Sequence, residues 1–217
     1  MMAYFYIRGQ RWLLDKGYGR IVDSTGILRK LERIGMTFEK TVTLKDGRNC
    51  LLRNGVASDG QAVLDVFNWT HDETDYLLTY SDENCFTASQ EADFLQRKTD
   101  SANNVEIIAV VDDVVAGTAG IDALGMRDKI KHRAVFGIAI TKEFWGLGIG
   151  KYLMEACIEC AREAGYLQLE LEVVAENERA VEMYRRAGFI EYGRNPKAFR
   201  LRTGEYQELI DMRLELK

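Results

Sequence analysis

The chain has 217 residues, enough for one well-buried domain with an appendage. With 47% hydrophobic and 29% charged residues and one proline, Pro196, it reads as an ordinary globular protein without a Pro-rich linker. A formal net charge of -5 argues against nucleic acid as a main partner, because phosphate binding needs the opposite sign.

No apolar run approaches the roughly 18 residues of a membrane span. The opening "MMAYFYIRGQRW" has no basic region ahead of its short apolar stretch, so a signal peptide is not expected and a cytoplasmic location is. The charge is uneven. Residues 1–40 hold eight Lys/Arg and four Asp/Glu, whereas positions 54–96 hold nine acids and no Lys or Arg. Cys157 and Cys160 form a C-x-x-C inside a helical pattern, away from the helix N-terminus where a reactive pair would sit, so core packing is expected of them. His71 and His132 are the only histidines and lie far apart, which argues against a catalytic triad or a metal site.

In chain order, "STGILRKLERIG" (24–35) predicts a short helix capped by Ser24 or Thr25 and ended by Gly35. "KTVTLKDGRNCLLRN" predicts a hairpin turning at Asp46-Gly47. Ser58 is expected to cap a helix bearing Ala62, Val63, Val66 and Phe67. A loop follows over 72–86, and then a helix from about Ser89 to Arg97. "VEIIAVVDD" and "VVAGTAGIDAL" read as strands joined at Asp112-Asp113, and "HRAVFGIAITK" as a third strand.

A helix over 148–164 carries Ile149, Leu153, Ala156, Cys157, Cys160, Ala161 and Ala164 on one face, with Gly165 at its end. In "YLQLELEVV", Leu167, Leu169, Leu171 and Val173 alternate with Gln168, Glu170 and Glu172, predicting a strand with the leucines inward. Asn177 is the expected N-cap of a helix with Ala180, Val181, Tyr184 and Ala187 inside and Gly188 at its end. Two closing strands flank Thr203-Gly204.

The stretch "FWGLGIGKYL" (144–153) follows the third strand and opens a helix with three glycines in five positions. It is not a P-loop: Trp145 stands where the first glycine belongs, and Tyr152 follows Lys151. Nor is it a dinucleotide fingerprint, since the third glycine falls at 150 rather than 151. A G-x-G-x-G turn at a helix start is either a plain tight turn or a nest of backbone N–H groups for an anion.

Together, "GIAITKEFWGLGIGKYLMEACIECAREAG" and "LELEVVAENERAVEMYRRAGF" resemble the GNAT superfamily of acyl-CoA-dependent N-acetyltransferases. The resemblance spans about residues 41–217 and is sharpest from 136 to 190. It leaves 1–40 as an extension whose candidate roles are packing on the domain, covering the acceptor site or forming a homodimer contact. It implies an α/β (α+β) fold with a central mixed, mostly antiparallel sheet flanked by helices. The fourth strand ("HRAVFG") and the fifth splay apart to admit acetyl-CoA.

The resemblance further implies that the backbone of Ile138, Ala139 and Ile140 bonds the pantetheine arm. The N–H groups of Gly146, Leu147, Gly148, Ile149, Gly150 and Lys151 wrap the pyrophosphate. Trp145 stands in that loop where relatives carry Arg or Gln. Asn177 fixes the CoA arm, and Tyr184 protonates the departing thiolate. The implied reaction is direct attack of a primary amine on the thioester, with no metal. Many relatives use a fourth-strand glutamate as base; Val135 occupies that position here, which leaves Glu172, an acid of the 72–75 loop (Glu73 or Asp75) or ordered water as candidates on the acceptor side. The acid-rich 54–96 segment suggests a cationic acceptor. The alternative is a non-catalytic acyl-CoA sensor, which Val135 favours and Tyr184 opposes.

Overall fold

The computed structural model describes residues 35–216; the helix expected over 24–35 falls almost wholly outside them. The chain forms β1 (Glu39–Thr43), β2 (Asn49–Asn54), α1 (Gly60–Glu73), α2 (Ala88–Thr99), β3 (Val105–Val111), β4 (Val114–Ala123), β5 (Arg133–Ile140), α3 (Ile149–Glu163), β6 (Gln168–Val174), α4 (Glu178–Arg186), β7 (Ile190–Arg200) and β8 (Tyr206–Glu215). The eight strands make one sheet in the order β1-β2-β3-β4-β5-β6-β8-β7. Every neighbouring pair is antiparallel except β5 and β6.

Local chemistry explains most of these elements. Asp112 and Asp113 both take positive φ, 50° and 66°, the two-residue turn whose twist matches that of the β3–β4 hairpin. Thr87 caps α2 through its hydroxyl, which accepts from Gln90 N–H, while Gln90 returns a bond to Thr87 N–H. Asn177 caps α4 by accepting from Ala180 N–H at 3.3 Å.

Two expectations need correction. Ser58 does not cap α1. A 3-10 turn over Ala57–Asp59 precedes that helix, and the Asp59 carboxylate fixes it by accepting from Val56 N–H and pairing with Arg53 at 2.7 Å. Leu167 is not on the inner face of β6. It precedes the strand and is 58% exposed, because its N–H bonds His132 O at the mouth of the sheet while the inward alternation begins at Leu169.

The helices cover opposite faces. On one, α3 packs over β2 to β5 and encloses the main core, which includes Ile107, Ile121, Phe136, Leu153, Cys157, Leu169 and Met212. Cys157 and Cys160 are buried there as free thiols. On the other, α1 and α2 cover β3 to β5 through a smaller cluster of Val63, Val66, Leu95, Ile108 and Val115. The β5–β6 ladder holds only at Arg133–Gln168, Ala134–Leu169 and Val135–Glu170. Beyond it β5 stays on β4 as far as Ile140 while β6 follows β8 as far as Val174. The strands expected to splay therefore do so.

Candidate active site

A continuous cleft of about 3190 Å³ includes the gap between β5 and β6. Its upper end is the glycine turn. Gly146 and Gly148 have φ of 84° and 99°, a region that side chains strain to enter. Gly150 does a different job: a Cβ there would lie 3.1 Å from Met183 Sδ and 3.3 Å from Ile140 Cδ1, so its bareness lets α3 start against α4. Gly148 O accepts from the N–H groups of Lys151 and Tyr152. The N–H groups from Gly146 to Gly150 lie ahead of that ladder, where a helix N-terminus offers donors to an anion. Leu147 O is tied to Lys45 N–H of the β1–β2 turn.

Trp145 gains a structural account that its sequence position did not supply. Its indole N–H donates to Ile140 O at 2.7 Å, and its ring lies 5.8 Å from the Arg179 guanidinium. Backbone groups of successive strand residues point to alternate sides. Thr141 N–H bonds Ala116 O on the β4 side, so the groups of Ile138 and Ile140 face the gap and those of Ala139 face β4. Arg179 was not singled out in the sequence. It stands on the first turn of α4, outside the apolar stripe, and its Nη2 lies 4.0 Å from where a Gly146 Cβ would be. A cation thus hangs over the N–H nest.

The middle of the cleft is lined by Tyr184, Phe136 and Asn177. Tyr184 is 6% exposed; its ring meets Phe136 edge-on at 6.1 Å and Phe189 at 5.7 Å. Burial pushes its phenol well above the ordinary range, so it holds its proton at neutral pH.

The opposite side is acidic, but mostly through residues outside the 54–96 segment. Most acids of that segment serve local structure. Glu73 accepts from Lys142 N–H at 2.6 Å, Asp72 from Ser81 Oγ and Glu83 from Tyr80 N–H, while Asp82 pairs with Arg202. Glu73 and Asp75 line a separate small cavity of about 270 Å³ with Tyr80 and Arg202. Of that segment's acids Glu91 lines the main cleft, together with Glu106 of β3, Asp122 of β4 and Glu170, Glu172 and Asp211 of β6 and β8. Glu170 accepts from both Nε and Nη2 of Arg133, a bidentate pair along one guanidinium edge. Glu172 stands opposite Asp211, and burial together with that neighbour raises its carboxyl above the usual range. His71 also lines the cleft; its Nδ1 lies 2.7 Å from Phe67 O, and burial lowers its pKa, so the ring is neutral.

Among the described residues no group of three or more His, Cys, Asp or Glu side chains could hold a metal ion, and no helix is long and apolar enough to cross a membrane.

The family model for the GNAT acetyltransferases matches residues 64–189, more than half of the chain. The chain belongs to the GNAT acetyltransferase family. Among curated relatives of this GNAT protein, an L-amino acid N-acetyltransferase of Escherichia coli (strain K12) is 31% identical over 118 residues, 54% of this chain and 72% of that one. A GNAT-family acetyltransferase structure from Streptococcus pneumoniae superposes with a TM-score of 0.73 at 26% identity, covering 76% of this chain and 99% of that one. The yncA protein of Salmonella typhimurium, solved with its cofactor acetyl-CoA, shares the fold with a TM-score of 0.69 at 16% identity over 78% of this chain and 95% of its own.

Proposed function

We propose that this acetyltransferase moves an acetyl group from acetyl-CoA to the primary amine of a cationic small molecule or peptide, by direct attack in a ternary complex. One observation carries this reading: the β5–β6 ladder opens after Val135, directly below a nest of unbonded N–H groups, with Tyr184 lining the gap between. The relatives' names support amine acceptors. One is an L-amino acid N-acetyltransferase; another, the N-alpha-acetyltransferase 30 of Schizosaccharomyces pombe, is 37% identical over 57 residues, 26% of this chain and 38% of that one.

Acetyl-CoA supplies the acyl group as a thioester, activated toward nitrogen. The chain's residues do the rest. The N–H groups of Gly146 to Gly150 hold the pyrophosphate, while that of Lys151, expected among them, is bonded to Gly148 O; the Arg179 guanidinium adds charge. Ile138 offers its backbone groups to the pantetheine arm; Ile140 offers only its N–H, because its carbonyl already serves Trp145. Asn177 closes the arm from α4. Tyr184 gives its proton to the leaving thiolate, whose conjugate acid has a pKa of about 8.5 in water. Glu172 and Asp211 present negative charge to the incoming ammonium group.

The test is thiol release from acetyl-CoA with a panel of cationic, neutral and anionic amines at low and high salt. Cationic amines are expected to have kcat/KM values about tenfold or more above neutral isosteres at low salt, with the gap closing as salt rises. Equal rates across the panel would remove the charge preference. Tight acetyl-CoA binding with no amine-dependent release would instead make the protein a sensor.

A further inference from the structure

We propose that Glu106, two strands away from the position where relatives keep a glutamate, is the proton acceptor for the attacking amine, acting through water along a trough floored by Gly120 and Gly137.

The geometry begins with register. Glu106 on β3 stands opposite Gly120 on β4, and Gly120 stands opposite Gly137 on β5. Directly opposed residues share a face, so the three form a row beneath α1 and α2. A Cβ on Gly120 would fall 2.2 Å from Glu106 Oε2. The carboxylate therefore lies over the bare Gly120 backbone and points across β4 toward β5. Gly137 leaves the next step of the row open as well. Strands are about 4.8 Å apart, a step that one or two waters bridge. Val135, the residue in the expected base position, shares this face of β5 two residues from Gly137, and all of these residues line the cleft that Tyr184 lines.

The surroundings suit a group that takes up and releases a proton. The Glu106 side chain is 14% exposed, within reach of water yet largely enclosed. Lys98 of α2 binds Asp122 of β4 at 2.6 Å and stays 3.9 Å from Glu106, so its charge is spent mainly on Asp122. The Thr118 hydroxyl beside Glu106 favours its charged form, and Glu91 of α2 adds negative charge nearby. Burial, opposed by Lys98 and helped by Asp122 and Glu91, pushes the Glu106 carboxyl up to about 7. A base works best with a pKa near the operating pH.

The proton balance closes. The ammonium group passes one proton through water to Glu106, and its nitrogen lone pair forms the C–N bond. On collapse the C–S bond breaks and the sulfur leaves with the electron pair, taking a proton from Tyr184. The nitrogen's second proton restores Tyr184, and Glu106 releases its own to solvent. One proton leaves per turnover.

This inference rests on the amine-acetylation reading, and the experiment separates the two. Thiol release is measured from about pH 5.5 to 9.5 for the wild type, Glu106→Gln and Gly120→Ala, with acetyl-CoA affinity measured by calorimetry. The wild-type kcat/KM is expected to rise through a limb near 7. Glu106→Gln should lose that limb and fall about 100-fold or more at neutral pH. Its deficit should shrink as the pH nears the amine's own pKa, with acetyl-CoA affinity unchanged. Gly120→Ala keeps the carboxylate but presses a Cβ on it and on Val105 O, and should lower kcat in the same direction. If Glu106→Gln fails to fold, Gly120→Ala and the wild-type limb decide. An active wild type without a limb near 7, or a Glu106→Gln deficit that does not vary with pH, overturns the role of Glu106 alone. A wild type that binds acetyl-CoA and releases no thiol with any amine overturns the acetylation reading, and the role of Glu106 with it.

Discussion

The two sides of the cleft are built on different principles. The side proposed for acetyl-CoA is made of backbone: the free edge of β5, two left-handed glycines and the first turns of α3 and α4. The side proposed for the amine is made of side chains drawn from α2, β3, β4, β6 and β8, which meet only in the folded sheet. A backbone site tolerates sequence change as long as the turn survives. A side-chain site is retuned by single substitutions, which suits a family whose members share a donor and differ in acceptor.

Three substitutions sharpen this contrast. The largest effect is expected at Tyr184, where the two sides meet. Tyr184→Phe keeps the ring contacts with Phe136 and Phe189 and removes the proton, so kcat should drop by about 100-fold or more. Acetyl-CoA affinity should hold by calorimetry; a parallel loss of binding would make Tyr184 a wall of the site. Next is Gly148→Ala. Forcing a side chain to a φ of 99° costs about 1–2 kcal/mol, which predicts roughly tenfold or greater loss of acetyl-CoA affinity with little change in amine KM. An unchanged Kd would show that the turn does not need its left-handed form. The smallest effect is expected at Arg202, on the β7–β8 turn. It stacks on Tyr80 at 4.0 Å and pairs with Asp82, pinning the 74–86 loop beside the amine side. Arg202→Ala removes an exposed, solvent-screened pair, so amine KM should rise a few-fold and melting temperature little. An equal rise in acetyl-CoA KM would contradict the division of the cleft.

The same contrast explains what could be read from the chain. Periodicity and turn chemistry located every strand and α-helix of the described region, though none of its three 3-10 turns, because the signals sit within a dozen residues of one another. The glycine turn, Asn177 and Tyr184 were legible as one contiguous pattern. The acidic side was not. Counting charges drew attention to 54–96, yet Glu73, Asp72 and Asp82 are engaged in holding the loop, while Glu172 and Asp211, 39 positions apart in numbering, become neighbours only through the β6–β8 register. Glu106 gave no sign at all, since its meaning depends on the absence of side chains at Gly120 and Gly137 on adjoining strands. Ser58 misled because a cap needs geometry as well as residue type, and Asp59 with Arg53 had the better reach.

The Trp145 indole, anchored to Ile140 O and stacked beside Arg179, joins the end of β5 to the start of α4 across the glycine turn. The conformational entropy of shaping that turn is thereby spent during folding rather than at each encounter with a ligand. A preorganised nest of this kind would meet an anion without a rearrangement step, so that under the proposed reading the free energy of phosphate contact would remain available for holding the donor in place while the amine arrives.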